Sequence, residues 1–266
     1  MKPITAEERK RIQLDILDAI HHFCVEHNIK YSLGYGTLLG AVRHGGFIPW
    51  DDDVDIIMLR RDYERFLREF DAPGGRFAIS ECRRDSKQLF DFAKVHDTRT
   101  IWYQAGNNVD TGLFVDIFPY DDLEDTYEES LAIHQRYSYL YNYKTAKNCN
   151  WGMMSSFIKN VGLMFYKLRY LLSPPPRKML GYINTMLERN KPHSKYVGYL
   201  SDKFVYIIER SYFDDIVPIR FEDRTYLCIK EKEKYLAATY GDYMQLPPED
   251  QRLPHSQLGL YWRDKW

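Results

Sequence analysis

Residues 130–187 contain no aspartate or glutamate, although the 266-residue chain as a whole carries 37 Lys and Arg against 38 Asp and Glu. The near-balance overall argues against a charge-driven partner such as a nucleic acid polymer. Cysteine is scarce. Cys24, Cys82, Cys149 and Cys228 lie far apart and form no C-x-x-C pair, which excludes a zinc cluster or disulfide framework and suits reduced thiols. No apolar run is long enough to span a bilayer, and the opening MKPITAEERKR lacks the apolar core of a secretory signal. The chain is therefore expected in the cytoplasm.

Aromatic residues, by contrast, are abundant: they make up 15% of the chain, and 22 are tyrosines. An apolar ring with a polar tip suits a sugar, nucleotide or quaternary-ammonium surface, and it equally finishes a core. The acid-free stretch holds Arg136, Lys144, Lys147, Lys159, Lys167, Arg169, Arg177 and Lys178, and within it the segment over 153–176 alternates large apolar residues with Lys and Arg and stops at three consecutive prolines. As a helix it would place Phe157, Val161, Met164 and Leu168 along one side. That pattern fits peripheral contact with anionic lipid at the inner membrane face through residues 153–178, or a core helix with a solvated basic edge.

The chain centres on residues 31–59, YSLGYGTLLGAVRHGGFIPWDDDVDIIML. Before it, Thr5-Ala-Glu-Glu8 reads as a capping box opening a helix that carries Ile12, Ile16, Ala19 and Phe23 and ends near Asn28. Within it, a short strand over 29–33 leads to Gly34 and Gly36, which let backbone approach a ligand. A helical piece over 37–43 follows, its N-terminal N–H groups suited to a phosphate, and Gly45-Gly46 ends it. Asp51, Asp53 and Asp55 share one face if the strand over 51–58 begins early enough. Carboxylates packed in this way repel unless a cation sits among them, and a magnesium-type ion is their natural occupant.

Further strands are expected over 77–82, 89–96 and 100–104, with a helix over 61–70. Lys94 lies in an apolar strand, facing either substrate phosphate or an exposed sheet edge. In GLFVDIFP a single aspartate, Asp116, interrupts an apolar strand, and a lone buried carboxylate needs a charge or a metal. Asp116 thereby completes the set begun by Asp53 and Asp55.

Glycine turn, short helix, D-x-D and a later strand with one aspartate resemble the nucleotidyltransferase superfamily. More specifically, GTLLGAVRHGGFIPWDDDVDI, KVHDTRT, GLFVDIFPYD and GDYMQLPPEDQRLPHS resemble the LicD family of phosphotransferases, related to the fukutin group. The fukutin group's cysteine-rich zinc element has no counterpart here, so the likeness is to the bacterial branch. The resemblance implies transfer of a phosphocholine-like head group from a CDP-activated donor to a sugar hydroxyl of a cell-surface glycan precursor, which is free or lipid-linked. The alternative is a nucleotidyltransferase adding a nucleotide from an NTP to a small molecule. The resemblance further implies that Asp53, Asp55 and Asp116 bind one or two magnesium ions, with manganese as a substitute. Asp51 is then a fourth ligand or a neighbouring support. Gly36 and Thr37 would cradle phosphate, and Arg43, His44 and Lys94 would add positive charge. His255 either returns to the site or is a surface histidine. Trp50, Trp102 and Tyr103 are candidates, by position, for a box around a choline head group.

The expected fold is α/β (α+β), a nucleotidyltransferase-like mixed sheet with flanking helices and a helical insertion. A catalytic core over 1–124 is followed by a helical basic region over 125–195 and by a segment over 196–266 that returns to the core through strands near Tyr206 and Tyr226 and a helix over 231–239.

Overall fold

The computed structural model describes residues 1–71, 73–84, 90–103, 111–141, 175–189, 191, 193–252 and 259–263, together with 161–162, 164–165 and 168. Helix α1, Ala6–Glu26, opens on the expected capping box. Thr5 Oγ1 accepts from the Glu8 N–H at 3.1 Å while Glu8 Oε2 accepts from the Thr5 N–H at 2.9 Å. Its buried stripe of Ile12, Ile16, Leu17 and Ile20 packs against strands β4, Ala93–Asp97, and β6, Phe114–Asp122.

These strands belong to a mixed sheet of order β1-β2-β6-β4-β3, where β1 is Ser32–Leu33, β2 is Asp55–Leu59 and β3 is Phe77–Ser80. The β2–β6 pair is parallel, and its neighbours are antiparallel. Ile56, Ile57 and Met58 of β2 are fully buried, as the continuous apolar run of a strand covered on both faces requires. The last two residues of β6 pair with β7, Tyr196–Tyr199, which pairs in turn with β8, Tyr206–Glu209. The fold is thus of the expected mixed α/β class.

Three elements position the site. Helix α2, Tyr35–Arg43, lies against β2, against β9 (Ile216–Phe221) and against α6 (Lys232–Tyr240). Gly45 ends α2 at φ +72°, and its carbonyl accepts from Glu222 N–H at 2.8 Å in the turn joining β9 to β10, Arg224–Ile229. Helix α3, Arg60–Glu69, follows β2 directly and lies against β2 and β6. A second core, with Leu123, Tyr182, Ile183, Met186 and Leu200, joins α5, Pro175–Arg189, to the sheet, while α4, Tyr127–Tyr137, lies against β7 and β8. Strand β5, Thr100–Tyr103, pairs with β11, Gly259–Trp262.

Several boundaries differ from expectation. The strand over 51–58 begins only at Asp55, because Asp51 N–H bonds to Ile48 O at 2.9 Å and holds the preceding residues in a turn. The strand over 29–33 shrinks to Ser32–Leu33, and that over 89–96 starts at Ala93. The helix expected through Phe157 and Val161 falls mostly outside the described residues, while Met164 and Leu168 within it are exposed. No helix among the described residues is long and apolar enough to cross a membrane.

Candidate active site

Strand register builds the centre of the site. Asp55 of β2 lies opposite Asp116 of β6, and Asp116 lies opposite Lys94 of β4, so the three stand in a row across adjacent strands. Opposed residues bring their Cβ atoms within about 5 Å on one face. Lys94 is a buried residue of an interior strand rather than of an exposed edge, and its Nζ donates to Asp116 Oδ1 at 2.5 Å. The lone lysine and the lone aspartate of the sequence are each other's partner.

The remaining acids arrive from the turn before β2. Asp51, Asp52 and Asp53 each offer an oxygen, all within 4.8 Å of one another. Asp52 also faces α1, where Arg9 Nη1 lies 3.7 Å from its Oδ2 and Gln13 Nε2 donates to its carbonyl at 2.9 Å. Asp51 turns instead toward the first turn of α2. A Cβ on Gly36 would lie 2.6 Å from Asp51 Oδ2, so the missing side chain is what lets this carboxylate approach. Thr37 Oγ1 accepts the Asp55 N–H at 2.8 Å, tying α2 to the start of β2. Tyr35, which opens α2, holds φ +42°, and its N–H donates to the Tyr235 hydroxyl at 3.3 Å. A non-glycine residue in that region stores strain of the kind found at binding sites.

The electrostatics follow from the crowding. Burial, then Asp53 beside it, pushes the Asp51 carboxyl up to about 8. Burial, then Asp53, Asp116 and Asp51, holds Asp55 well above the ordinary carboxylate range, with Lys94 opposing. Burial raises Asp116 to about 6 against the pull of Lys94. Lys94 offsets one charge among Asp51, Asp53, Asp55 and Asp116, and buried like charges raise each other's proton affinity. An oxygen-only donor set with surplus negative charge fits a hard divalent cation such as magnesium.

The other expected residues sit further out. Arg43 Nη1 donates to Tyr243 O at 2.8 Å and to Gln245 O at 3.3 Å, so it holds the segment leading to residue 255. His44 lies edge-on to Trp50, their ring centroids 6.0 Å apart, and partial burial followed by Arg43 lowers its pKa. Arg252, which the sequence did not single out, covers Trp50 at 5.4 Å from guanidinium to ring centroid. Trp102 stacks on Phe114 at 5.0 Å. His255 and the side chain of Tyr103 lie outside the described residues. The sequence also missed the rings around Lys94, although Phe92 and Phe114 stand two positions from Lys94 and Asp116, a spacing that places them on the same strand face.

The family described as LicD/FKTN/FKRP, nucleotidyltransferase domain, matches residues 28–153. The Haemophilus influenzae protein named lipopolysaccharide cholinephosphotransferase LicD is 30% identical over 273 residues, covering 96% of this chain and 97% of that protein. An uncharacterized protein of Rickettsia typhi is 34% identical over 105 residues, 36% of this chain and 34% of its own. One of Rickettsia prowazekii is 46% identical over 77 residues, 26% and 29% of the respective chains.

Proposed function

The chain belongs to the LicD family, and we propose that it transfers a phosphocholine-like head group from a CDP-activated donor to a sugar hydroxyl of a lipopolysaccharide-type glycan precursor. The observation that carries this reading is the row Asp55, Asp116 and Lys94 in strand register, with Asp51 and Asp53 from the segment before β2 close enough to raise the proton affinity of Asp55. It is supported by a relative of matching length whose name states cholinephosphotransfer to lipopolysaccharide.

Asp53, Asp55 and Asp116 would hold magnesium, with Asp51 as a fourth ligand or a support for the others. The bound ion would neutralise the donor's diphosphate and polarise its phosphorus–oxygen bonds. With Asp116 holding the ion, Lys94 would be available to the donor phosphate through its four-carbon stem. Gly36 makes room at the first turn of α2 for the Asp51 carboxylate, and the partial positive charge of that helix end would favour phosphate oxygens beside it. Thr37 keeps Asp55 aimed through its bond to the Asp55 N–H. Arg43 would add positive charge and holds the C-terminal segment through Tyr243 and Gln245, with His44 beside it against Trp50. In the reaction the acceptor hydroxyl oxygen bonds to the phosphorus carrying the head group. The bond from that phosphorus to the bridging oxygen breaks, CMP leaves, and the hydroxyl proton passes to a carboxylate of the set.

Incubation of the purified protein with magnesium and CDP-choline, CDP-ethanolamine, CDP-ribitol or CTP tests the reading. CMP release from a CDP donor with a glycan acceptor supports it. Pyrophosphate release from CTP with a small acceptor instead identifies a nucleotidyltransferase and overturns it.

A further inference from the structure

The Lys94 ammonium does more than pair with Asp116. Its Nζ lies 3.5 Å from the ring centroid of Phe114 and 4.9 Å from those of both Phe90 and Phe92. All three lie well inside the roughly 6 Å reach of cation–π attraction. Rings that merely covered the lysine stem would flank its methylene groups, whereas here the charged nitrogen itself sits among three ring faces. Trp102 stacks on Phe114 with the planes 25° apart and fixes the orientation of that ring. Phe92 is held in turn by Phe118, 4.4 Å away between centroids. The cage is therefore built from strands β4 and β6 and their surroundings, and its floor is the carboxylate Asp116.

We infer that Phe90, Phe92 and Phe114 are the seat of a quaternary ammonium head group, occupied by the Lys94 ammonium until donor binds. The inference rests on the transfer reading above and adds to it the group that reads the head group's chemistry. A phosphocholine nitrogen is separated from its phosphorus only by an oxygen and a two-carbon bridge, so its seat must adjoin the phosphate site. The cage meets that requirement because Lys94 touches both the rings and Asp116. A trimethylammonium carries no N–H and is poorly hydrated, so ring faces hold it better than they hold a primary ammonium. Trp102, expected as a member of such a box, serves as the backing of its Phe114 wall.

Calorimetric titration of the full chain with phosphocholine and with phosphoethanolamine, in magnesium buffer, tests the cage without turnover. The wild type is expected to bind phosphocholine about tenfold more tightly. Phe114→Leu, which keeps apolar bulk and removes the ring face, is expected to weaken phosphocholine by roughly 3- to 30-fold and phosphoethanolamine by less than about threefold. Phe90→Leu, at a half-buried position, should give a smaller loss of the same selectivity and serves if Phe114→Leu folds poorly. No preference for phosphocholine in the wild type, or equal losses for both ligands in the variants, overturns the cage. CMP release from CDP-choline is scored separately. Selective phosphocholine binding without CMP release leaves the cage and removes the transfer reading, whereas CMP release without selectivity does the reverse.

Discussion

Strand β6 carries two buried aspartates, Asp116 and Asp121, whose surroundings are opposite. Asp121 is saturated. Arg60 grips it at both oxygens, Nε to Oδ1 at 2.6 Å and Nη2 to Oδ2 at 3.1 Å, and the Tyr182 hydroxyl adds a bond at 2.9 Å. Among the described residues Asp116 has one cation, Lys94, shares that cation's field with Asp55, and is crowded by Asp53. A carboxylate whose charge is fully met binds elements together, here α3, β6 and α5. One left in surplus is available to a ligand, at a cost in stability that the fold carries elsewhere.

The sharpest way to break this comparison is to remove each acid in turn. Asp116→Asn and Asp55→Asn are each expected to lower CMP release more than about a hundredfold. The urea midpoint of the metal-free Asp55→Asn protein should stay the same or rise, since repulsion is relieved, whereas Asp116→Asn also strands the buried Lys94. Asp121→Ala is expected to do the reverse, costing about 3 to 5 kcal/mol in urea unfolding because it strands a buried Arg60. Similar stability losses for Asp55→Asn and Asp121→Ala would dissolve the distinction.

The crowded site also responds to pH. Asp51 and Asp116 hold protons more tightly when folded, at about 8 and about 6, than at the ordinary 3.8. The folded state therefore binds more protons than the unfolded chain, and metal-free stability should fall as pH rises from about 4 through these values. Urea melts across that window check the slope. Magnesium is expected to flatten it by stabilising the folded protein most near pH 8, and a flat metal-free profile would contradict the crowding. A smaller effect should follow from Thr37→Val, which keeps shape but leaves the buried Asp55 N–H without its acceptor. About 1 to 3 kcal/mol of stability is expected to go, with a fall in CMP release larger than that from a surface substitution.

Much of this was legible in the chain because local rules apply locally. The T-A-E-E capping box gave the start of α1, and the apolar run after Asp55 gave the central strand. The solitary Lys94 and Asp116 each signalled a missing partner, but only strand register shows that they answer one another. Register is a long-range property, and single-strand periodicity leaves it open. The start of β2 was misjudged for a related reason: alternation alone suits a strand from Asp51, but Asp51 N–H closes a turn on Ile48 O and Asp52 O accepts from Gln13 of α1, contacts that the local pattern does not reveal. Nothing local marks Asp121 as structural, since its partner Tyr182 lies 61 residues away. The aromatic cage was written in the F-D-F-A-K and L-F-V-D spacings but becomes visible only when β4 and β6 are side by side.

The claim that the surplus carboxylates form a divalent-cation site is tested most directly by titrating manganese into the metal-free protein and counting bound ions by electron paramagnetic resonance. Wild-type protein is expected to bind manganese, and Asp116→Asn and Asp55→Asn to lose that binding while remaining folded. Undiminished manganese binding in both variants would contradict the account.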